Sequence, residues 1–334
     1  MKKNQKTFLI IGSNSFSGSS FVYHLLKKKF NVIGVSRSKE LSPIFLKYKE
    51  LKEELSSFQF FQIDLNQNLK KLINLIENYK PTYIINLAAQ SMVAESWENP
   101  DHWYNTNIVG QVKLLEELKN FKFIKKYIHV TTPEVYGSND HKIKESFNFN
   151  PSTPYAVSRA SCDFHLKNMF ELYNFPVVFT RAANVYGPYQ QLYRIIPRSL
   201  LYSRTNKKIS LHGGGKSVRS FIHIDDVSDA TILIALHGKI GKTYHISTND
   251  FISIRDLVIK ICNLTNIEYK KFTNISTERK GKDKAYILDS SYIRKELKWK
   301  NKVSIDQGLD QTLSWIDKNL IKLKKSNSSY IHKK

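Results

Sequence analysis

Cysteine is almost missing from this chain: only Cys162 and Cys262 occur in 334 residues. Two thiols cannot make a disulfide framework, and neither has metal-ligand spacing around it. A reducing, cytoplasmic setting is therefore expected. Long apolar runs are missing too. All fall well short of the roughly 20 residues a membrane helix needs. The stretch Met1–Lys6 runs straight into a four-residue apolar segment, too short for a signal-peptide core. Acidic residues are few: 29 against 52 Lys and Arg, a net charge of +23. That balance could suit nucleic acid, an acidic membrane or anionic small substrates. The lysines are scattered, however, and no zinc-finger, bZIP or RRM spacing is present. Scattered lysine reads as solvated surface, so no nucleic-acid or membrane partner is expected. Repeats and low-complexity linkers are also lacking.

What is present is an alternation of strands and helices. Thr7–Ile11 reads as a buried strand, followed by Gly12-Ser-Asn-Ser15-Phe16-Ser-Gly18 and a helical pattern through Phe21, Leu25 and Leu26. Strand, glycine turn and helix together favour a dinucleotide site. Gly12 permits the tight turn, Gly18 lets helix and strand approach, and the helix start suits a pyrophosphate. Ser15 stands where a glycine is more usual.

Further strands are expected at 31–35, 58–63, 83–87 and 127–131, with helices near 68–79 and 101–119. This spacing predicts an α/β fold with a doubly wound parallel sheet. Ser36 and Arg37 end the second strand without an acidic residue. An Arg there accommodates a 2′-phosphate, which leans toward NADP over NAD. Asp64 and Leu65 are placed to meet the adenine edge. The small residues after Leu87, Ala88 and Ala89, let a nicotinamide ribose pass close to the backbone.

Tyr155 and Arg159 lie one helical turn apart, so the cation can favour the phenolate for proton transfer at neutral pH. Alone, such a pair is usually surface packing. Its setting is more telling. Upstream lies Thr132-Pro133-Glu134-Val135-Tyr136-Gly137, and downstream lie Asn184-Val-Tyr-Gly-Pro188 and Arg219 after a Gly-rich turn. Arg279-x-Gly-x-Asp283 follows. In this order, over residues 7 to 317, the chain resembles the extended short-chain dehydrogenase/reductases. Within them it is most similar to nucleotide-sugar 4,6-dehydratases, of the dTDP-glucose type with features of the GDP-mannose type.

The resemblance implies a Rossmann domain at 1–180, a smaller sugar-nucleotide lobe at 181–320 that also completes the sheet, and a basic tail at 321–334 that reads as frayed. It implies NAD or NADP held tightly through Gly12, Ser15, Phe16, Gly18, Ser36, Arg37, Asp64, Leu65, Leu87, Ala88, Ala89, Tyr155 and Arg159. It implies catalysis by Thr132, Glu134, Tyr155 and Arg159. A nucleoside-diphosphate sugar would meet Gln90, Ser91, Thr132, Asn184, Arg219 and Arg279, with Ile195–Pro197 as a loop over its base. A homodimer through the 101–119 and 155–173 helices is also implied.

Two residues depart from the family pattern. Pro133 stands where dTDP-glucose dehydratases carry an Asp acid, and Arg159 stands where a Lys is usual. Arg keeps the charge but is larger and forked. UDP-glucuronate decarboxylase, 4-epimerase or 4-dehydrogenase activity and a non-catalytic dinucleotide-binding role stay open at this point. From the residues alone, Asp225-Asp226 is expected to cap a helix starting near Val227, and His223 and His245 are expected to be packed residues. A helix after Ser304 carries the stripe Ile305, Leu309, Leu313 and Ile316.

Overall fold

The computed structural model describes residues 5–139, 141–277, 285 and 287–333. Arg279 and Asp283 lie outside the described residues. Seven parallel strands form one sheet. In space they run Thr243–Ile246, Val177–Ala182, Lys126–Thr131, Tyr83–Asn86, Thr7–Ile11, Asn31–Ser36, Phe58–Gln62. This is the doubly wound order. The winding direction reverses between Thr7–Ile11 and Tyr83–Asn86, which pair in register from Phe8 opposite Tyr83. A crevice opens at such a reversal, beyond the carboxyl ends of the strands.

Side chains alternate across the strands and fill both faces. Phe8 and Ile10 pack with Phe21, Val22 and Leu25 of the helix Phe16–Lys27, and with Val227, Ala230 and Ile234 of the helix Ile224–His237. Leu9 and Ile11 pack on the opposite face. There they meet Leu72 and Ile76, Leu114 and Leu118, and Cys162 and Leu166, from three helices. Those helices are Leu69–Tyr79, Gly110–Leu118 and Pro154–Tyr173. Strands buried on both faces read as continuous apolar runs, which is why the sequence marks them well. A separate core holds the second lobe, joining Leu192, Ile196 and Leu200 to Leu309, Leu313 and Ile316.

The helix carrying Tyr155 starts cleanly. Thr153 is its N-cap, accepting from Ala156 N at 3.1 Å, and Pro154 occupies the first turn, where a missing N–H costs nothing. It stops at Asn174, in the left-handed region with φ 54°.

Two expectations are corrected. Ile195–Pro197 is not a loop but the first turn of the helix Ile195–Ser203; proline is tolerated there because first-turn N–H groups have no intrahelical partner. Asp225 and Asp226 do not cap their helix. It begins at Ile224, and His223 is the cap, its ring nitrogen accepting from Asp225 N. Asp226 instead accepts from the backbone N–H groups of Lys302 (2.8 Å) and Val303 (3.1 Å), tying two segments together. Ser304 and Gln307 form a capping box at the start of the helix Ile305–Lys324. Among the described residues no helix is long and apolar enough to cross a membrane.

Candidate active site

The first βα turn sets one end of the site. Gly12 has φ +97°, which L side chains rarely adopt. A Cβ on Gly18 would overlap the Gly12 carbonyl oxygen, so the helix start presses directly on the turn. Ser15, at φ −71°, needs no glycine. Its hydroxyl accepts from Gly18 N at 3.0 Å and caps the helix. Asn14 then fastens the turn to the end of the second strand. Its N–H donates to Ser36 Oγ at 2.9 Å, and its amide donates to the carbonyls of Ser38 and Lys39.

Beside this turn lies a cavity of about 260 Å³ lined by Gly12, Ser15, Ser36, Arg37, Asp64, Leu65, Leu87, Ala88, Ala89 and Gln90. A glycine turn, a helix start and small residues opposite are the features a dinucleotide needs, so these residues fit the cofactor. Gly18 acts by packing and lines neither cavity. Asp64 spends one carboxylate oxygen on Asn66 N at 2.7 Å.

A larger cleft of about 980 Å³ continues from it past Ser15, Leu87 and Ala89. Phe16, Ser91, Thr132, Glu134, Tyr155, Arg159, Asn184 and Arg219 all line it, as does Pro133. Residues far apart in sequence thus converge where the sheet's carboxyl edge meets the second lobe. Gln90 is the exception among the described residues assigned to the substrate. It lines the smaller cavity and not the larger cleft.

Thr132 and Glu134 sit where Lys126–Thr131 ends. Thr132 Oγ1 accepts from Glu134 N at 3.3 Å and caps the short turn Pro133–Tyr136. Pro133 fills the first position of that turn, so its ring serves local geometry while removing an acidic group from the wall. Tyr155 is 9% exposed. Burial pushes its phenol up, and Arg159 is the strongest opposing influence. Glu134 also raises it, while a hydrogen bond from Thr132 and the charge of Arg194 lower it. The expected phenolate-favouring effect of Arg159 is therefore present but outweighed by desolvation in the protein alone.

Arg159 does not simply reach along its helix toward the cleft. Its Nη2 donates to the Val130 carbonyl and lies 3.3 Å from His129 Nε2. Behind it is a buried polar cluster. Asp163 Oδ2 accepts from Arg181 Nη2 at 2.8 Å and from Thr131 Oγ1 at 3.0 Å, and His129 Nε2 is 3.3 Å from Asp163 Oδ1. Burial pushes the Asp163 carboxyl up, but Arg181, His129 and Arg159 together hold it below its usual range. The cluster fixes the strand end from which Thr132 projects.

Sequence reading missed Asn107 and Ser96. Asn107 lies in a π-type turn, Asn105–Val109, a local widening often found at functional sites. Its amide accepts from Gln90 N at 2.8 Å and donates to the Gln90 carbonyl at 3.0 Å and to Ser158 Oγ at 2.9 Å. Ser96 Oγ accepts from Tyr155 N at 3.2 Å. Both clamp the Tyr155 helix to the loop after Tyr83–Asn86. No local motif marks either residue, because the partners are distant in sequence.

A Rossmann sheet whose carboxyl edge carries Thr132, Tyr155 and a basic residue one turn on defines an extended short-chain dehydrogenase/reductase. Within that class the chain belongs to the GDP-mannose 4,6 dehydratase family, whose pattern matches residues 9–312. The dTDP-D-glucose 4,6-dehydratase of Dictyostelium discoideum is 32% identical, over 93% of this chain and 81% of that protein. The crystal structure of DesIV, a dTDP-glucose 4,6-dehydratase from Streptomyces venezuelae with NAD and dTDP bound, is similar with a TM-score of 0.86 and 27% identity. It covers 94% of this chain and 97% of its own. The UDP-glucose 4-epimerase of Thermotoga maritima has a TM-score of 0.85 and 26% identity, over 94% and 99%. The architecture therefore serves more than one sugar-nucleotide reaction, and side chains must decide between them.

Proposed function

We propose that this chain is a nucleotide-sugar 4,6-dehydratase acting on dTDP-glucose, with GDP-mannose as the second candidate. The observation that carries the reading is Glu134 in one cleft with Thr132 and Tyr155. An epimerase needs only reversible oxidation at C4, whereas elimination needs a carboxylate for the C5 proton. The named relatives support dTDP-glucose, and DesIV binds NAD. NAD is therefore the first choice of cofactor, although Arg37 on the cavity wall also suits the 2′-phosphate of NADP.

With its adenosine end in the smaller cavity, the cofactor would reach past Ser15, Leu87 and Ala89 into the cleft that Tyr155 and Thr132 line; there its nicotinamide would supply a hydride acceptor for C4 and later a donor for C6, leaving the cofactor unchanged overall. Tyr155 takes the C4 hydroxyl proton, and Thr132 holds the C4 oxygen. The new ketone acidifies C5, and Glu134 removes that proton. Pro133 has no proton to give, so the protonated Glu134 passes its own to the C6 hydroxyl, which leaves as water. C5 then takes a proton from solvent, and Tyr155 releases to solvent the one it took from the C4 hydroxyl, so both side chains end as they began. Arg219 holds the diphosphate through charge-assisted bonds, with Asn184 beside it. Incubation with dTDP-glucose, GDP-mannose or UDP-glucuronate separates the readings by mass. Loss of water is expected from dTDP-glucose; loss of carbon dioxide from UDP-glucuronate, or no mass change with any donor, would overturn the assignment.

We also propose a homodimer through the Tyr155 helix and the 100–118 segment. Val109, Val157, Phe164 and Tyr104 are exposed large apolar groups on these elements. Such a patch suits burial against a second copy. Sedimentation at the dimer mass is expected, and a monomer at micromolar concentration would refute it.

A further inference from the structure

The stretch 321–334 was set apart in the sequence as a basic tail; its first residues continue the helix Ile305–Lys324, and residues 326–333 are laid against both lobes. Ser328 is held on the second lobe. Its carbonyl accepts from Arg198 Nη2 at 3.0 Å, and its hydroxyl lies 3.3 Å from the Tyr202 hydroxyl. Tyr330 meets Tyr193 edge to face, with centroids 5.4 Å apart. His332 reaches the dinucleotide domain. Its ring stacks on Trp103 at 5.0 Å and on His102 at 5.1 Å, and its Nε2 is 2.8 Å from His102 Nδ1. Gln90 Nε2 then donates to the Lys333 carbonyl at 2.7 Å.

The two anchor sets belong to the two openings of the site. Tyr193, Arg198 and Tyr202 line the larger cleft, whereas Gln90 lines the smaller cavity. No described residue of the segment lines either space. It therefore bridges the rims and leaves the interior open, which is the geometry of a strap and not of a plug. Aromatic stacking and four polar contacts make it more than a chance surface contact.

We propose that residues 328–333 form a strap that retains the dinucleotide by slowing its release, while the sugar nucleotide exchanges through the larger cleft. The choice of the dinucleotide rests on the dehydratase reading. A cofactor that ends each cycle as it began has no need to leave, so a barrier to its exit costs no turnover. The strap's last anchor, Gln90, is also held by Asn107 at the loop beside the cofactor cavity. The strap thus grips the wall the dinucleotide would have to pass.

The test is the double variant Tyr330→Ala/His332→Ala in the full chain. Neither residue lines the cleft or the cavity, so catalytic geometry is untouched. Bound NADH is chased with excess NAD and its loss of fluorescence timed. Release is expected to quicken about tenfold or more, with affinity for dTDP unchanged within about twofold, because such contacts act mainly on dissociation rates. Tyr330→Phe keeps the ring contact and should release NADH at the native rate. In the native protein, amide hydrogen exchange over 328–333 should slow when NADH binds. Unchanged NADH release overturns the proposal, as does exchange indifferent to NADH. Faster loss of dTDP alone would mean that the strap guards the other opening, and overturns it equally. Because the readout is cofactor fluorescence, slow NADH release without turnover of any sugar nucleotide would sink the dehydratase reading and leave the strap standing.

Discussion

Glu134→Gln is expected to lower the formation of dehydrated product about a hundred- to ten-thousand-fold, the range for loss of a positioned acid–base group. The amide keeps the size and the turn of Pro133–Tyr136, whose cap involves the backbone N–H of residue 134 and not its side chain. Folding and binding should therefore survive. On the proposed mechanism, what is lost is the group that takes the C5 proton and hands one to the C6 hydroxyl. In dTDP-glucose dehydratases the second duty falls to a separate Asp, and Pro133 cannot fill it. C4 oxidation, which the proposed mechanism assigns to Tyr155, Thr132 and the bound cofactor, should continue. Reduced cofactor should accumulate after a single turnover, seen as absorbance of the dihydronicotinamide, while mass spectrometry shows no loss of water. Retained dehydration would assign the acid–base work elsewhere.

Tyr155→Phe is expected to slow the earlier step by a comparable factor, so that reduced cofactor forms only at a residual rate. The ring is buried among the cleft walls, and phenylalanine preserves that packing. The native pH profile should identify the phenol. A proton acceptor works when ionised, so activity should fall as pH drops through its pKa. Burial raises that pKa in the protein alone, and Arg159 opposes the rise. A bound cationic nicotinamide would add to the opposing side. The acidic limb of single-turnover oxidation should therefore lie at lower pH than the titration of the same buried phenol in the cofactor-free protein. In Tyr155→Phe the residual rate should lose this limb. A variant that still reduces cofactor at near-native rate would remove Tyr155 from the chemistry.

Five of the seven strands were legible, the central ones because they are buried on both faces and read as apolar runs; Val177–Ala182 and Thr243–Ile246 were not placed as strands. Gly12 and Gly18 were legible because only glycine fits their backbone and packing, whereas Thr132, Glu134 and Tyr155 were singled out as catalytic through the resemblance, and the structure lines one cleft with all three. What was not legible depends on distant partners. Ser15 looked like a flaw in the glycine turn but caps the helix. Arg159 looked like a simple partner for Tyr155, yet it donates to Val130 and abuts His129. The resemblance gave Ile195–Pro197 as a loop, though a first-turn proline leaves a helix intact. Asn107 carries no local pattern because its hydrogen bonds go to Gln90 and Ser158. The convergence of Asn184 and Arg219 on the cleft follows from the second lobe folding back over the sheet.

The central claim is a redox-neutral dehydration within one sugar. It is tested most directly with dTDP-glucose carrying deuterium at C4. The account predicts a product that has lost water and holds the deuterium at C6, with no net change in the bound cofactor. Deuterium returned to C4 without loss of water would make the chain an epimerase, and deuterium left on the cofactor would make it a simple dehydrogenase; either result contradicts the account.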